Sequence, residues 1–322
     1  MAKSGLLHNG YIKSLRGIMN IYIAPVQGHT DSAWRYFHRM AYGGNHKYFT
    51  AFMRCEHGEL RTKDLRDFKN PLNEELNIEP QVIFKNIEEL DVLLKTLKDA
   101  GAREVNLNMG CPFPLQTRMG RGAAFIANTS EAEKLPALFA EYPDMKFSVK
   151  MRLGMTDPDE WKNIIDIFNS LELDNIYVHP RVARQNYSGD LYLDRFEEII
   201  KKSKNPVVFN GDIKTPEDIV RIAETFPEIN GIMIGRGLLG RPSLAAEFED
   251  SEWPKEQRTA KMMEFHNELF KYYQQHLCGD TQILSKIKPF WEYAEEEIGR
   301  KAWKAIKKAT TLSKYKAAIA LI

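Results

Sequence analysis

Short apolar runs recur along the chain, each closed by a polar or glycine-rich turn and followed by residues at helical spacing. Ile21-Tyr22-Ile23-Ala24 is the first, and Pro25 ends it, because proline fixes φ and donates no hydrogen bond. Thr30 or Asp31 then caps a helix running through Trp34, Phe37 and Met40. Tyr48-Phe49-Thr50-Ala51-Phe52 predicts a second strand, followed by a long polar stretch from 53 to about 79. Gln81-Val82-Ile83-Phe84 predicts the third, although Gln81 opens the run and the strand has room to begin earlier. Its helix, 87–100, puts Leu90, Leu93, Leu94 and Leu97 on one face, and Gly101 terminates it.

The fourth run alternates through Val105, Asn106, Leu107 and Asn108 and ends in Gly110-Cys111-Pro112. This is a forced turn: Gly110 permits positive φ and Pro112 stops the ladder. Met119 to Ala124 follows as a glycine loop running into a helix, and a further helix is expected over 130–142, opened by Thr129 or Ser130. Phe147 to Arg152 is a fifth strand, with a helix over 159–168 behind it. Ile176-Tyr177-Val178-His179 is a sixth, with a helix over 194–201. Pro206-Val207-Val208-Phe209-Asn210-Gly211-Asp212 is a seventh, and Thr215 with Pro216 opens its helix as N-cap and first residue. Gly231-Ile232-Met233-Ile234-Gly235-Arg236 is an eighth, leading into 241–248.

Regular alternation of strand and helix implies parallel strands, and eight units imply a closed barrel. The expected fold is therefore α/β, a (β/α)8 TIM barrel. Beyond about residue 252 no strand pattern appears. Met262, Phe265, Leu269 and Tyr272, then Ile283, Ile287, Phe290 and Tyr293, recur at helical spacing. A small all-α helical domain should therefore follow the barrel. The expected division is an N-terminal extension over 1–19, the barrel over 20–248 and the helical domain over 249–322.

Composition narrows the class. With 43% hydrophobic and 28% charged residues in 322, the chain suits a globular enzyme and not a disordered segment. A net charge of +1 means that any nucleic-acid binding must come from local patches. Cys55, Cys111 and Cys278 form an odd, widely spaced set, with neither disulfide nor zinc spacing. No metal site is expected, and the reducing cytoplasm is the natural compartment. No apolar run approaches the roughly 20 residues of a membrane span, and residues 1–18 lack the apolar core of a signal peptide. No protein partner is evident, so a monomer is expected.

The chemistry-bearing residues gather at the carboxyl ends of the strands, where barrels build their active sites. A cysteine in a turn just past a strand is an aimed thiol, against the blander reading of a small buried hydrophobe. Lys150 and Arg152 alternate with apolar neighbours, so they share one face of the fifth strand. A lysine inside a barrel needs an anionic partner, and a cofactor ring that gains charge on reduction would serve. His179 could add a second donor. Asn210-Gly211-Asp212 and Gly235-Arg236-Gly237, on the last two strands, lie where many barrels hold a phosphate. In the tail, Arg300, Lys301, Lys304, Lys307, Lys308, Lys314 and Lys316 occur with no acid after Glu297. They read either as a solvated helix face or as a phosphate-contacting surface.

Together these pieces resemble the bacterial tRNA-dihydrouridine synthase family. The matching elements are Ala24 to Asp31, Gln81, Asn108-Met109-Gly110-Cys111-Pro112, Gly122-Ala123-Ala124, Val149-Lys150-Met151-Arg152, His179-Pro180-Arg181, Asn210-Gly211-Asp212 and Met233 to Gly237, in family order. Ile287 to Trp291 resembles the family's C-terminal tRNA-binding domain more loosely. The resemblance implies an oxidoreductase that carries FMN, takes electrons from NADPH and reduces the C5=C6 bond of uridines in tRNA. It implies that Pro25, Val26 and Gln27 line the flavin, Gln81 bonds its ring and Lys150 faces its pyrimidine edge near His179. Asn210, Gly211, Asp212, Gly235 and Arg236 would hold the phosphate. Cys111 would be the general acid, and Asn108 and Arg152 would seat the uracil. Arg54, Arg118, Arg121 and Lys288 are further candidates for contacting the RNA. Val26-Gln27, His29, Pro180 and Val182 depart from the commonest family pattern. The competing readings are another FMN barrel acting on a small molecule, and an RNA-binding barrel without flavin.

Overall fold

The computed structural model describes residues 15, 17, 19–250 and 253–322, so most of the expected extension over 1–19 lies outside the described residues. Eight parallel strands form the barrel: β1 Asn20–Ile23, β2 Lys47–Phe49, β3, β4 Glu104–Met109, β5 Lys146–Gly154, β6 Leu173–Val182, β7 Val207–Asn210 and β8 Gly231–Ile234. β3 is split into Ile78–Glu79, which pairs with β2, and Gln81–Val82, which pairs with β4. Pro80 between them has no N–H for the ladder, yet its carbonyl still accepts from Asn106 N at 2.9 Å. β3 does begin before Gln81. β1 pairs with β8 on its other side, which closes the circle.

α1 Ser32–Tyr42 starts where expected: Asp31 caps it by accepting from Trp34 N at 3.1 Å. α2 Ile87–Asp99 buries Leu90, Leu93, Leu94 and Leu97, and Asn86 caps it. α3 Leu193–Lys202 and α4 Pro216–Thr225 follow β6 and β7, and α4 has a reciprocal capping box between Thr215 and Asp218.

Two expected helices are fragmented. The stretch 130–142 is divided into Thr129–Ala132 and Leu135–Ala140, because Pro136 cannot donate to a continuous ladder and starts a new turn instead. The stretch 159–168 is a 3₁₀ turn, Glu160–Asn163, followed by Ile165–Phe168. The segment after Arg121 is likewise a buried 3₁₀ turn, Gly122–Ala127. The polar stretch after β2 is no open loop: it holds a hairpin of Cys55–Glu56 with Glu59–Leu60, then the helix Thr62–Phe68.

The C-terminal helices are α5 Lys255–His276, α6 Gly279–Ile287, α7 Arg300–Lys308 and α8 Leu312–Ile319. Met262, Phe265 and Leu269 are buried as the spacing required, but Tyr273 takes the inward place expected of Tyr272. Phe265 packs edge-on against Trp34 of α1, with ring centres 5.7 Å apart. Tyr273 Oη donates to both Asp31 oxygens at 2.9 and 3.0 Å, and Lys286 Nζ lies 2.7 Å from Asp31. The residue that caps α1 therefore also ties the helical region to the barrel.

Candidate active site

The carboxyl-end rim encloses a cavity of about 1070 Å³. Pro25, Val26, Gln27, Gln81, Asn108, Cys111, Lys150, Arg152, His179, Asn210, Gly211, Asp212, Gly235 and Arg236 all line it. Residues separated by up to 211 positions in the sequence thus converge because each closes a different strand of one barrel.

Cys111 is placed by the end of β4. Asn108 Oδ1 accepts from Gly110 N at 3.1 Å and from Cys111 N at 2.9 Å, folding the chain sharply over the strand. Gly110 does not use positive φ, contrary to expectation. Its role is steric, since a Cβ there would sit a tight 3.1 Å from the Met151 carbonyl carbon of β5. Burial pushes the thiol pKa up, opposed by a backbone hydrogen bond and by the charges of Arg152 and Lys150. Cys111 is thereby held as a protonated thiol at neutral pH.

Lys150 lies one register step from Cys111's strand, opposite Asn108. Burial, with help from Arg152, lowers its pKa to about 7. Among the described residues no carboxylate pairs with it. Arg152 donates to Val182 O at 3.0 Å and lies 5.2 Å from the ring centre of Tyr187. His179 is buried between Arg152, Lys150, Arg181 and Arg236, and burial plus those charges keep it neutral. Its Nε2 is 3.2 Å from Arg181 Nη1. A guanidinium can only donate, so Nε2 accepts and the ring proton is on Nδ1.

The β7 and β8 turns interlock. A Cβ on Gly237 would lie 1.9 Å from Ile213 O, so only glycine lets the two turns meet. Asp212 turns its carboxylate to Arg181, which donates to Oδ1 at 3.0 Å and Oδ2 at 2.5 Å, and Arg236 lies 3.5 Å away. Burial alone would raise the Asp212 pKa, but Arg181 and Arg236 hold it below the usual range. Asp212 thus positions two arginines at the turn, and the Arg236 guanidinium lines the cavity.

The other four candidates fall outside this cavity. Arg121 is buried, pairing with Glu89 at 2.7 Å and donating to Cys55 O, so its guanidinium is committed to the fold. Arg54 pairs with Glu56 at 2.9 Å and, with Arg121, lines a second cleft of about 690 Å³. Arg118 is exposed on the turn after Cys111. Lys288 Nζ donates to Lys307 O and Ala309 O at 2.8 and 2.9 Å, capping the carboxyl end of α7.

Sequence reasoning missed several lining residues. Tyr187 had no local signal, although its ring lies 3.9 Å from the Arg236 guanidinium. Glu292, Tyr293, Glu295, Glu296, Glu297 and Trp303 also line the cavity, from a segment with no strand pattern. His29 Nε2 contacts Glu292 at 2.9 Å, joining the β1 turn to that segment.

A parallel barrel that gathers a buried thiol, a lysine without a carboxylate partner and two interlocked glycine turns around one cavity at its carboxyl rim has the layout of a barrel enzyme's ligand site. Comparison with known proteins agrees. The chain belongs to the dihydrouridine synthase (Dus) family, whose sequence pattern matches residues 22–320. It is 29% identical over 174 residues to a probable tRNA-dihydrouridine synthase 2 of Bacillus subtilis, covering 52% of this chain but only about half, 51%, of that relative. It is 28% identical to a probable tRNA-dihydrouridine synthase of Aquifex aeolicus, covering 71% and 72% of the two chains. A Treponema pallidum relative is 24% identical over 90% of this chain and 88% of its own. Morphinone reductase shares the fold, with a TM-score of 0.52 at 10% identity over 73% of this chain and 86% of that one.

Proposed function

We propose that this protein is a flavin-dependent tRNA-dihydrouridine synthase that reduces the C5=C6 bond of uridine, with FMN as cofactor and NADPH as reductant. The observation that carries the reading is the meeting of the Cys111 thiol with the cationic Lys150–Arg152 face in one cavity. The residues fit FMN. Lys150 is an inward cation that lacks a carboxylate, and the Gly211–Asp212 and Gly235–Arg236 turns line the same cavity, where their backbone and the Arg236 guanidinium would hold the phosphate. When bound there, the flavin would supply the hydride for C6. Cys111 gives its proton to C5, and the thiolate left behind is reprotonated from solvent. Arg152 and Asn108 hold the uracil, and neutral His179 donates from Nδ1.

The flavin enzyme reading is favoured over a flavin-free RNA-binding barrel by the lysine, which would be costly to keep buried without an anion. FMN is favoured over FAD because the Gly-x-Gly-x-x-Gly run of the chain, Gly235 to Gly240, belongs to the β8 turn already assigned to the phosphate, which leaves no second such unit for an adenosine half. Mass spectrometry of the cofactor released from purified protein, with dihydrouridine formation in tRNA as the activity, tests both points. FAD as the dominant species, or a colourless protein that binds no flavin, would defeat the proposal. A uridine in folded RNA has to leave its stack to enter such a cavity.

The tail is proposed to grip the tRNA. Lys301, Lys304, Lys307, Lys308, Lys314 and Lys316 are all exposed, and among the described residues none forms an ion pair. Lys304, Lys307 and Lys308 replaced by alanine should weaken tRNA binding and flatten its salt dependence by roughly 0.9 logarithmic units per lost duplex phosphate contact. Slow oxidation of NADPH by oxygen should persist, since it needs only the barrel cavity. Filter binding across a salt series is the check, and equal slopes would return the lysines to plain surface.

A further inference from the structure

A chain of buried polar side chains runs down the barrel interior from the Cys111 turn to an ion pair at the opposite end. Asn108 Nδ2 donates to Gln81 Oε1 at 2.7 Å, and Gln81 Nε2 donates to Asn106 Oδ1 at 2.7 Å. Asn106 Nδ2 donates to Ser148 Oγ at 2.6 Å, and Ser148 Oγ donates to Glu79 Oε1 at 2.5 Å. The other oxygen of Glu79 lies 3.3 Å from Lys47 Nζ, which also reaches Glu104 at 2.6 Å. Every member from Asn108 to Glu79 is buried.

All four links donate in the same direction, and one group imposes that direction. An amide or hydroxyl can serve as donor or acceptor, but an ionised carboxylate only accepts. Glu79 therefore obliges Ser148 to donate to it and to accept from Asn106. Asn106 must then turn its oxygen to Gln81, and Gln81 its oxygen to Asn108. Asn108 is left with its oxygen toward the N–H groups of Gly110 and Cys111, the one orientation that holds the turn. We infer that Glu79, acting through Ser148 and Asn106, is a positioning residue that sets the amide orientations of Gln81 and Asn108 and so the seat of Cys111. The inference does not depend on which reaction the thiol serves.

The ionisation state supports this polarity. Burial raises the Glu79 pKa to about 7, Lys47 opposes the rise, Glu104 adds to it and Ser148 opposes it. Tyr177 on β6 and Tyr22 on β1 also face this group, and both have raised pKa values, so they remain neutral. At pH 8 the carboxylate is ionised and the chain has one direction.

Glu79→Gln tests it with little change of shape. Lys47 can only donate, so it draws the new amide oxygen and leaves the nitrogen toward Ser148. That reverses the last link and frees the Ser148 hydroxyl to donate to Asn106, so that the other links lose the direction Glu79 imposed and can reverse one group at a time. Asn108 then presents Nδ2 to two N–H groups, and the turn opens. Amide hydrogen exchange at pH 8 should rise at least tenfold at Gly110 and Cys111 while 78–82 and 104–109 keep their protection. Peptide-resolved alkylation of Cys111 should change rate in parallel, with Cys278 as the internal control. Should Glu79→Gln not fold, Ser148→Ala cuts the same chain without touching the charge and should give the same local rise. Unchanged exchange at Gly110 and Cys111 overturns the inference. So does a rise spread evenly along both strands, which would mean that Glu79 only holds the sheet together. Both readouts are taken on the protein without RNA, so they stand apart from the success or failure of the proposed activity.

Discussion

Cys111→Ala should lower single-turnover uridine reduction by roughly 10²- to 10⁴-fold, the usual contribution of a placed general acid, with the flavin still bound. The thiol is carried by a turn whose two N–H groups are held by Asn108, so its geometry does not depend on the cofactor. Burial raises its pKa more than Arg152 and Lys150 lower it, so at neutral pH it has a proton to give. Alanine removes that proton and little else, since the backbone hydrogen bonds remain. The flavin should therefore copurify in normal amount and be reduced by NADPH at the wild-type rate. Only the oxidation of reduced enzyme by tRNA should slow. Rapid-mixing spectroscopy of the flavin band separates the two half-reactions. An unchanged rate with tRNA removes Cys111 from the mechanism, and loss of flavin would mean that the thiol serves binding instead.

Lys150→Met should act in opposite directions on the two forms of the protein. In the cofactor-free protein it should be stabilising; in the presence of FMN it should cost most of the affinity. The Lys150 pKa falls from 10.5 to about 7 on folding, with burial the main cause and Arg152 second. The sign follows from proton counts. Between those two values the unfolded chain keeps the proton and the folded chain has released it, so stability rises with pH. Below about pH 7 both forms are charged, and the folded state bears the whole penalty of a buried cation. Wild-type protein stripped of flavin should therefore gain stability from pH 7 to pH 9. Lys150→Met should start higher and lack that part of the slope. With FMN bound, an anionic ring edge would hold the lysine charged and the wild-type slope should shrink. Thermal melts of both proteins across this pH range, with and without FMN, are the check. Identical slopes in wild type and variant without flavin would show that Lys150 does not titrate there.

The barrel was legible because its determinants are local. Proline after Ile23, the alternation into Asn108, the Thr215-Pro216 cap and the leucine stripe of α2 each act within a few residues, and each appears as expected. The rim residues were legible for the same reason: in a parallel barrel every strand ends on the same side, so the end of each run names a lining residue. The helices that failed to run through did so at Pro136 and in the 3₁₀ turn after Asp159, where a helical spacing is kept without a helical ladder.

Charge was the part that sequence could not decide. Arg121 and Arg236 both follow or flank a glycine, yet one is spent on Glu89 inside the fold and the other faces the cavity. Lys288, a candidate RNA contact by sequence, has its ammonium on the Lys307 and Ala309 carbonyls, 19 and 21 residues further on. Spacing along a strand or helix therefore determined the eight-fold alternation, the thiol in its turn and the two cations on β5, since those depend on neighbours in the chain. Which arginine faces the cavity, which tail residues close it and which way the amides of Gln81 and Asn108 point were decided by the tertiary structure alone. Each of those depends on a partner brought from a distant strand, and a hydrogen bond or ion pair has no direction or strength until that partner is in place.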